Sequence, residues 1–310
     1  MSTDILLYLA AFAGGFLGAA FGALIAFVFT GFAVLVGIAA LIGSGDASFL
    51  NEVAFGPFFG PHISFAGGVG AAAYAGRKGW LDSGRDIVTP LVSLAKPTVL
   101  IVGGVFGVLG VVVAQVVALV PWFGSNTDGV ALTVVVSALI ARLLYGKTGV
   151  IGAHSDGLTG AARFRPTDTH NWVRYQEAWP QAAVLGLGVG MIAAWAAVAL
   201  LAAYPEASGV IFLGFGVSAA SLTFLAVGLS VPVTHHITII GALGASSFLG
   251  VTGSPAAAVL IGTGFAVVAA LVGEGFARFW LIRGDTHIDP PASTIWPMTT
   301  LVLASAALFA

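Results

Sequence analysis

Long apolar runs separated by short polar stretches dominate the hydrophobic pattern of this 310-residue chain. A helix needs about 20 apolar residues to cross the hydrocarbon core of a bilayer. The first apolar run, 4–43, is long enough for two crossings, and we expect the chain to divide near Thr30-Gly31. Eight further spans are predicted at about 53–76, 95–120, 129–146, 179–203, 209–228, 233–250, 254–281 and 292–309. The pattern thus predicts about ten transmembrane segments, five on each side of the polar stretch 147–175.

Composition supports a membrane protein. Hydrophobic residues make up 58% of the chain and charged residues only 8%, whereas a soluble domain carries roughly 25% charged residues. The apolar runs lack the alternation of a membrane β-barrel, so helices remain the way to satisfy the backbone in lipid. We therefore predict an all-α integral membrane protein in contact with the lipid bilayer. The formal net charge of −2, without blocks of like charge, argues against nucleic acid as a partner.

The positive residues indicate an orientation, since Lys and Arg in short loops mark the cytoplasmic side. They form groups that share one side of the ten-span arrangement: Arg77, Lys78 and Arg85; Arg142, Lys147, Arg163, Arg165 and Arg174; and Arg278 and Arg283. We predict a multi-pass protein of the cell membrane with its N-terminus outside and a cytoplasmic central loop. The N-terminal stretch MSTDILLYLAAFAGG lacks a positive region, so we expect a first span there rather than a cleaved signal peptide.

One motif occurs twice in the chain. Aligning HISFAGGVGA at 62–71 with HITIIGALGA at 236–245 pairs five identical residues in ten, including the histidine. The register continues with small shifts and pairs Asp128 with Asp289. Five spans per half give the second half the opposite orientation. We therefore predict inverted repeats, 1–146 and 176–310, related by a pseudo-two-fold axis in the membrane plane.

Helix-breaking residues interrupt both copies of the motif, in the third and eighth segments: Pro57, Gly60, Pro61 and Pro232. Proline cannot donate a backbone hydrogen bond and restricts the residue before it, so we expect helices to start only near residues 61 and 234. These half-helices are predicted to begin inside the membrane, with free N–H groups facing a cavity that suits an anion or a carbonyl-bearing solute. Paired breaks of this kind mark the substrate site in transporters built from inverted repeats.

Polar side chains near the breaks form the predicted substrate site: His62, Ser64, His235, His236 and Thr238. We expect His62 and His236 to meet across the pseudo-axis, where imidazoles can donate, accept or relay a proton. The alternative is structural. In that interpretation each histidine caps its own broken helix, and Ser64 and Thr238 bond to carbonyls of their own helices.

Polar residues in the fourth and ninth spans occupy matching positions. Glu274 is a carboxylate inside a predicted span and its counterpart is Gln115. We consider a coupling or gating role for this pair, through a proton or a cation, against an ion pair of Glu274 with Arg278 one helical turn away. Asp128 and Asp289 directly precede helices and are interpreted as N-caps outside the site.

The five-plus-five layout is similar to that of urea channels, the paired histidines resemble those of ammonium channels, and the half-helices resemble those of nucleobase and anion transporters. This resemblance concerns architecture alone. We predict a secondary transporter or facilitated-diffusion channel for a small polar or anionic solute. The alternatives are a proton- or cation-coupled antiporter using Glu274, an ammonium- or urea-like channel with paired pore histidines, and a structural scaffold.

Other functions are not expected. An intramembrane metal enzyme would need three or more converging ligands, which the spans do not offer, so we expect neither a catalytic activity nor a cofactor. Small residues spaced along the spans let helices approach closely and are compatible with a homo-oligomer.

Overall fold

The computed structural model describes residues 4–152 and 156–309. This part of the chain is helical, without a named strand, and its α-helices are α1 (Ile5–Phe21), α2 (Ala23–Ser44), α3 (Ser64–Arg77), α4 (Pro97–Ala118), α5 (Gly129–Tyr145), α6 (Trp179–Ala203), α7 (Leu213–Ala226), α8 (His235–Thr252), α9 (Pro255–Phe276) and α10 (Pro290–Ala307). Five helical stretches are long and apolar enough to cross a membrane: Ala23–Ser44, Pro97–Ala118, Trp179–Ala203, Ser208–Ala226 and Pro255–Leu281. They fit a multi-pass membrane protein.

The helices of the two halves have corresponding neighbours. In the first half α1, α3 and α4 pack against one another, and α5 lies on α3 and α4. In the second half α6, α8 and α9 pack in the same way, and α10 lies on α8 and α9. Between the halves, α2 packs along α7 and α5 packs against α10. The interior of the protein therefore lies where these two pairs of helices meet.

The first apolar run divides at Gly22, and the expected division near Thr30-Gly31 is wrong. Gly22 has φ of 87°, in the left-handed region that glycine adopts without steric cost. A Cβ atom at Gly22 would also lie 2.8 Å from the carbonyl oxygen of Val88. Thr30 and Gly31 lie inside α2, where the Thr30 hydroxyl donates to the carbonyl of Phe59 at 2.6 Å. Thr30 and Gly31 therefore lie where α2 contacts other elements of the protein, and not at a turn.

Both motif copies follow a stretch without α-helix. Helix α3 begins at Ser64 and α8 at His235, close to the expected positions, and the helix-breaking residues lie before these starts: Pro57, Gly60, Pro61 and Pro232. A side chain from the central loop bonds the irregular backbone before α8. The Gln176 amide donates to the carbonyl of Val233 at 2.9 Å and accepts from its N–H at 2.9 Å. A buried break needs such partners because water is not there to replace them.

The loops that carry the positive residues contact one another. Arg85, after α3, donates to the carbonyl of Ile282 at 3.2 Å and to that of Asn171 in the central loop at 3.1 Å. Arg142, buried near the end of α5, donates to the hydroxyl of Thr286 at 2.9 Å and to its carbonyl at 2.5 Å. Three loops that are far apart in sequence are thereby joined at one end of the helices.

An ion pair attaches the central loop to this assembly. The buried Arg283 guanidinium lies 2.5 Å from Asp156 and donates to the carbonyl of Arg165 at 3.0 Å. The hydrogen bond from Arg283 lowers the pKa of Asp156 from 3.8 to about 2. The loop is therefore attached through a carboxylate that stays charged in moderate acid.

The contact between α2 and α7 can be tested at Gly31. In Gly31→Ala the new Cβ would lie 2.4 Å from the backbone nitrogen of Ala220, and we expect overpacking to cost about 1–3 kcal/mol. The melting temperature of the protein in detergent should fall. The control Gly43→Ala lies in the same helix with open space around it and should leave the melting temperature nearly unchanged. Equal effects of the two variants would contradict the contact.

The attachment of the central loop should depend on pH. A carboxyl with a depressed pKa in the folded state stabilises that state above its unfolded pKa, and the effect is lost as pH falls through the folded value. Hydrogen exchange in residues 156–176, corrected for intrinsic rates, should therefore increase as pH falls from 3.8 towards 2. In Asp156→Asn the faster exchange should already be present at pH 6. Identical protection of this loop in both proteins at pH 6 would refute the role of the ion pair.

Candidate functional site

A central cavity of about 620 Å³ has walls from both halves of the chain. Helices α2, α3, α5, α7, α8 and α10 contribute to it, together with the segment before α3 and part of the central loop. Its volume lies within the range of roughly 300–1,000 Å³ that is typical of small-molecule sites. Most of the lining is aliphatic or aromatic and includes Phe27, Phe65, Trp172 and Phe215. The few polar side chains therefore decide what the cavity can bind.

Three aspartates line the cavity: Asp86 in the loop after α3, and Asp128 and Asp289 at the starts of helices. Asp128 accepts a hydrogen bond from the N–H of Ala131 in α5 at 2.8 Å, and Asp289 accepts one from the N–H of Ala292 in α10 at 2.7 Å. Their interpretation as N-caps is confirmed. Their position in the cavity was missed by the sequence analysis, although the alignment that paired Asp128 with Asp289 was a signal that pointed to it.

Two histidines also belong to the lining. The Nε2 atom of His287 lies 3.4 Å from Oδ1 of Asp289. The ring of His235 packs against Phe27 and Phe215, with 4.7 Å and 5.8 Å between ring centroids. Its Nδ1 atom is buried and has no hydrogen-bond partner among the described residues. His235 therefore offers a polar atom that the protein itself does not use.

The positive side chains of the lining are already engaged. Arg85 donates to two backbone carbonyls, as described above, and Arg174 forms an ion pair with Asp168 at 2.7 Å. Among the described lining residues, these two arginines are the only Lys or Arg side chains, and they face three aspartates, Asp86, Asp128 and Asp289. The formal charge of the lining is therefore negative when its histidines are neutral.

Part of the central loop, residues 172–175, lines the cavity and is held against the irregular segment before α8. The Tyr175 hydroxyl donates to the carbonyl of Val231 at 2.5 Å, and Gln176 bonds both backbone groups of Val233. We call residues 172–176 the strap. It forms part of the cavity wall close to the loop of Arg85, which bonds Asn171.

The structure does not bring His62 and His236 together. The backbone carbonyl of His62 packs on α4, whereas the ring of His236 packs on α9, and neither residue lines the cavity. The reason is local: His62 lies in the turn before α3, but His236 is the second residue of α8. His235 and Pro61, also among the predicted residues, do line the cavity.

The hydroxyl residues follow the structural alternative. Ser64 donates to the carbonyl of Gly60 at 3.3 Å, and Thr238 donates to that of His235 at 3.1 Å. The turn before α3 also bonds part of the helix start, since the N–H of Ser64 donates to Gly60 at 2.9 Å. Some of the N–H groups that we expected to be free at the start of α3 therefore donate to the protein's own backbone.

The other predicted polar residues lie outside the lining. Glu274 forms an ion pair with Arg278 at 3.0 Å, the helical pair considered as the alternative to coupling. Arg278 also lies 4.1 Å from the ring centroid of Trp179. Gln115 accepts a hydrogen bond from the hydroxyl of Tyr8 at 3.4 Å. These contacts account for both positions without a solute.

Comparison with known proteins identifies a family but not an activity. The profile of the family described as "Family of unknown function (DUF7973)" matches the chain twice, over residues 1–170 and 159–310. The chain belongs to this family. No curated protein and no solved structure matches it.

The attachment of the strap can be tested at Gln176. Gln176→Ala would remove both partners of the Val233 backbone, and leaving buried polar groups unpaired costs about 1–3 kcal/mol each. We expect a lower melting temperature and faster hydrogen exchange in residues 229–234. The control Gln181→Ala changes an exposed glutamine of α6 and should change neither. Unaltered exchange at 229–234 in Gln176→Ala would show that the strap is held by other contacts.

Proposed function

We propose that this member of the DUF7973 family is a membrane transport protein that moves a small polar solute through the central cavity, as a secondary transporter or a facilitated-diffusion channel. The observation that carries the proposal is the cavity itself, which is lined by three aspartates and by a histidine whose Nδ1 has no partner among the described residues. Ionisable side chains that face the interior of a membrane protein are functional candidates by default. Breaks in membrane helices are likewise tolerated where they line a cavity or are buried in protein.

The proposed architecture is an inverted repeat in which ten helices cross the membrane, five in each half. Its support is the correspondence of helix neighbours in the two halves, the paired starts of α3 and α8 after segments without α-helix, and two matches of one family profile along the chain. The paired N-caps Asp128 and Asp289 add a further correspondence. In such proteins the solute site lies at the interface of the repeats, where this cavity has its walls.

The proposed location is the cell membrane, with the N-terminus outside and the central loop in the cytoplasm. The contacts among the loops that carry Arg85, Arg142 and Arg283 support a common side for them. Loops rich in Lys and Arg mark the cytoplasmic side. The strap would then close the cavity from the cytoplasm.

The proposed solute path does not include the pair His62 and His236 that the sequence analysis predicted. An ammonium- or urea-like channel with His62 and His236 in its pore loses its support, because neither residue lines the cavity. A proton-coupled mechanism retains a specific observation in the contact between His287 and Asp289, and in that case these two residues rather than Glu274 would carry the proton.

Transport through the cavity can be tested with single cysteines, since the natural chain has none. Ala131→Cys and Ala292→Cys place a thiol in the lining. We expect a small methanethiosulfonate reagent to modify both thiols and to block uptake into proteoliposomes, measured with a labelled cation, urea and acetate. Ala269→Cys, buried outside the lining, should resist modification and retain uptake. Undiminished uptake after complete modification of both cavity thiols would contradict the path, and absence of uptake for every solute class would contradict the proposed function.

A further inference from the structure

We propose that the ligand of the central cavity is a small organic cation, an ammonium group attached to an apolar or aromatic body. The inference rests on the proposed function, because it names the substrate class of the same site. It differs from the expectation of an anion, which came from the helix starts considered alone. Three independent features of the lining lead to the cation.

The first feature is an excess of negative charge, since Asp86, Asp128 and Asp289 outnumber Arg85 and Arg174 in the lining. Asp128 and Asp289 accept hydrogen bonds from the first turn of their own helices, and Asp289 also contacts Nε2 of His287. A carboxylate can accept about four hydrogen bonds, so both retain free lone pairs. The arginines of the lining are bound to carbonyls and to Asp168. A carboxylate in apolar surroundings is strongly disfavoured without a positive partner. A cationic ligand would supply that partner.

The second feature is the aromatic wall. Phe27 lies at the centre of a group of rings, 5.9 Å from Phe65 and 5.7 Å from Phe215 between centroids, and all three residues line the cavity together with Trp172. The faces of aromatic rings attract cations, and aromatic cages are a known means of binding quaternary ammonium groups. The rings also provide contact area for the apolar body of such a ligand.

The third feature is His235. Its side chain is almost fully buried, with 5% of the residue exposed, and its Nδ1 atom has no partner in the described part of the chain. A neutral imidazole can accept or donate one hydrogen bond at this atom, depending on the tautomer. The atom is available to an N–H or hydroxyl group of the ligand.

An inorganic cation fits this lining less well. Hard metal ions take six or more oxygen ligands, whereas no three His, Cys, Asp or Glu side chains converge in residues 4–152 and 156–309. A cavity of about 620 Å³ is also much larger than a bare ion needs. Its volume and its apolar walls match an organic body.

Calorimetric titration of the purified protein in detergent tests the inference with three probes of similar size. These are benzyltrimethylammonium, benzyl alcohol and benzoate. We expect the cation to bind at least tenfold more tightly than the neutral and anionic probes. Asp128→Asn and Asp289→Asn should each weaken cation binding about tenfold, while asparagine still caps the helix and preserves the fold. Glu206→Gln, an exposed change outside the lining, should leave the affinity within twofold.

A ring substitution provides a second measurement that does not involve the caps. Phe215→Leu keeps an apolar side chain but removes the aromatic face, and we expect it to weaken benzyltrimethylammonium severalfold more than benzyl alcohol. Equal affinity for the three probes, or cation binding that is unchanged in both aspartate variants and in Phe215→Leu, would overturn the inference.

The outcomes also separate this inference from the proposed function. Selective cation binding without uptake into proteoliposomes would leave the cation site standing and refute transport. Uptake of acetate or urea through the cavity without cation binding would leave transport standing and refute the cation.

Discussion

The arrangement of this protein depends on one requirement: backbone groups that leave a helix away from water must find partners within the protein. Thr30 of α2 bonds a backbone carbonyl in the segment before α3, and Gln176 of the strap bonds backbone groups in the segment before α8. Because these partners come from other elements, the two breaks also determine which elements lie beside the cavity. Packing of small residues then brings α2 and α7 together at Gly31.

Much of the fold could be predicted from the sequence. Apolar runs, capping aspartates and helix-breaking prolines are local signals, and they placed most helices and the starts of α3 and α8 within a few residues. The division of the first run was misplaced because the sequence alone does not distinguish a glycine inside a helix, such as Gly31, from a glycine at a turn, such as Gly22. What distinguishes Gly22 is its approach to Val88, a contact between distant parts of the chain.

The candidate site was less predictable. The rarity of histidine directed attention to His62 and His236, but a one-turn difference in where the helices begin gives these side chains different surroundings. The same duplication paired Asp128 with Asp289, and there the helix ends do correspond. The helix cap alone explains an aspartate at these positions in the sequence. That the same aspartates line a cavity is evident only from the helices packed around them.

The double use of these aspartates has a consequence for dynamics. Each carboxylate holds the first turn of a helix through one oxygen while it faces the cavity. A ligand that binds either carboxylate, as proposed, would act on the same group that caps α5 or α10, so the order of the helix start and the occupancy of the cavity would be thermodynamically linked. By reciprocity, the free energy by which a bound ligand would stabilise either helix start equals the free energy by which an ordered start would strengthen binding of that ligand. The capping aspartates would thereby couple binding in the cavity to the packing of α5 against α10.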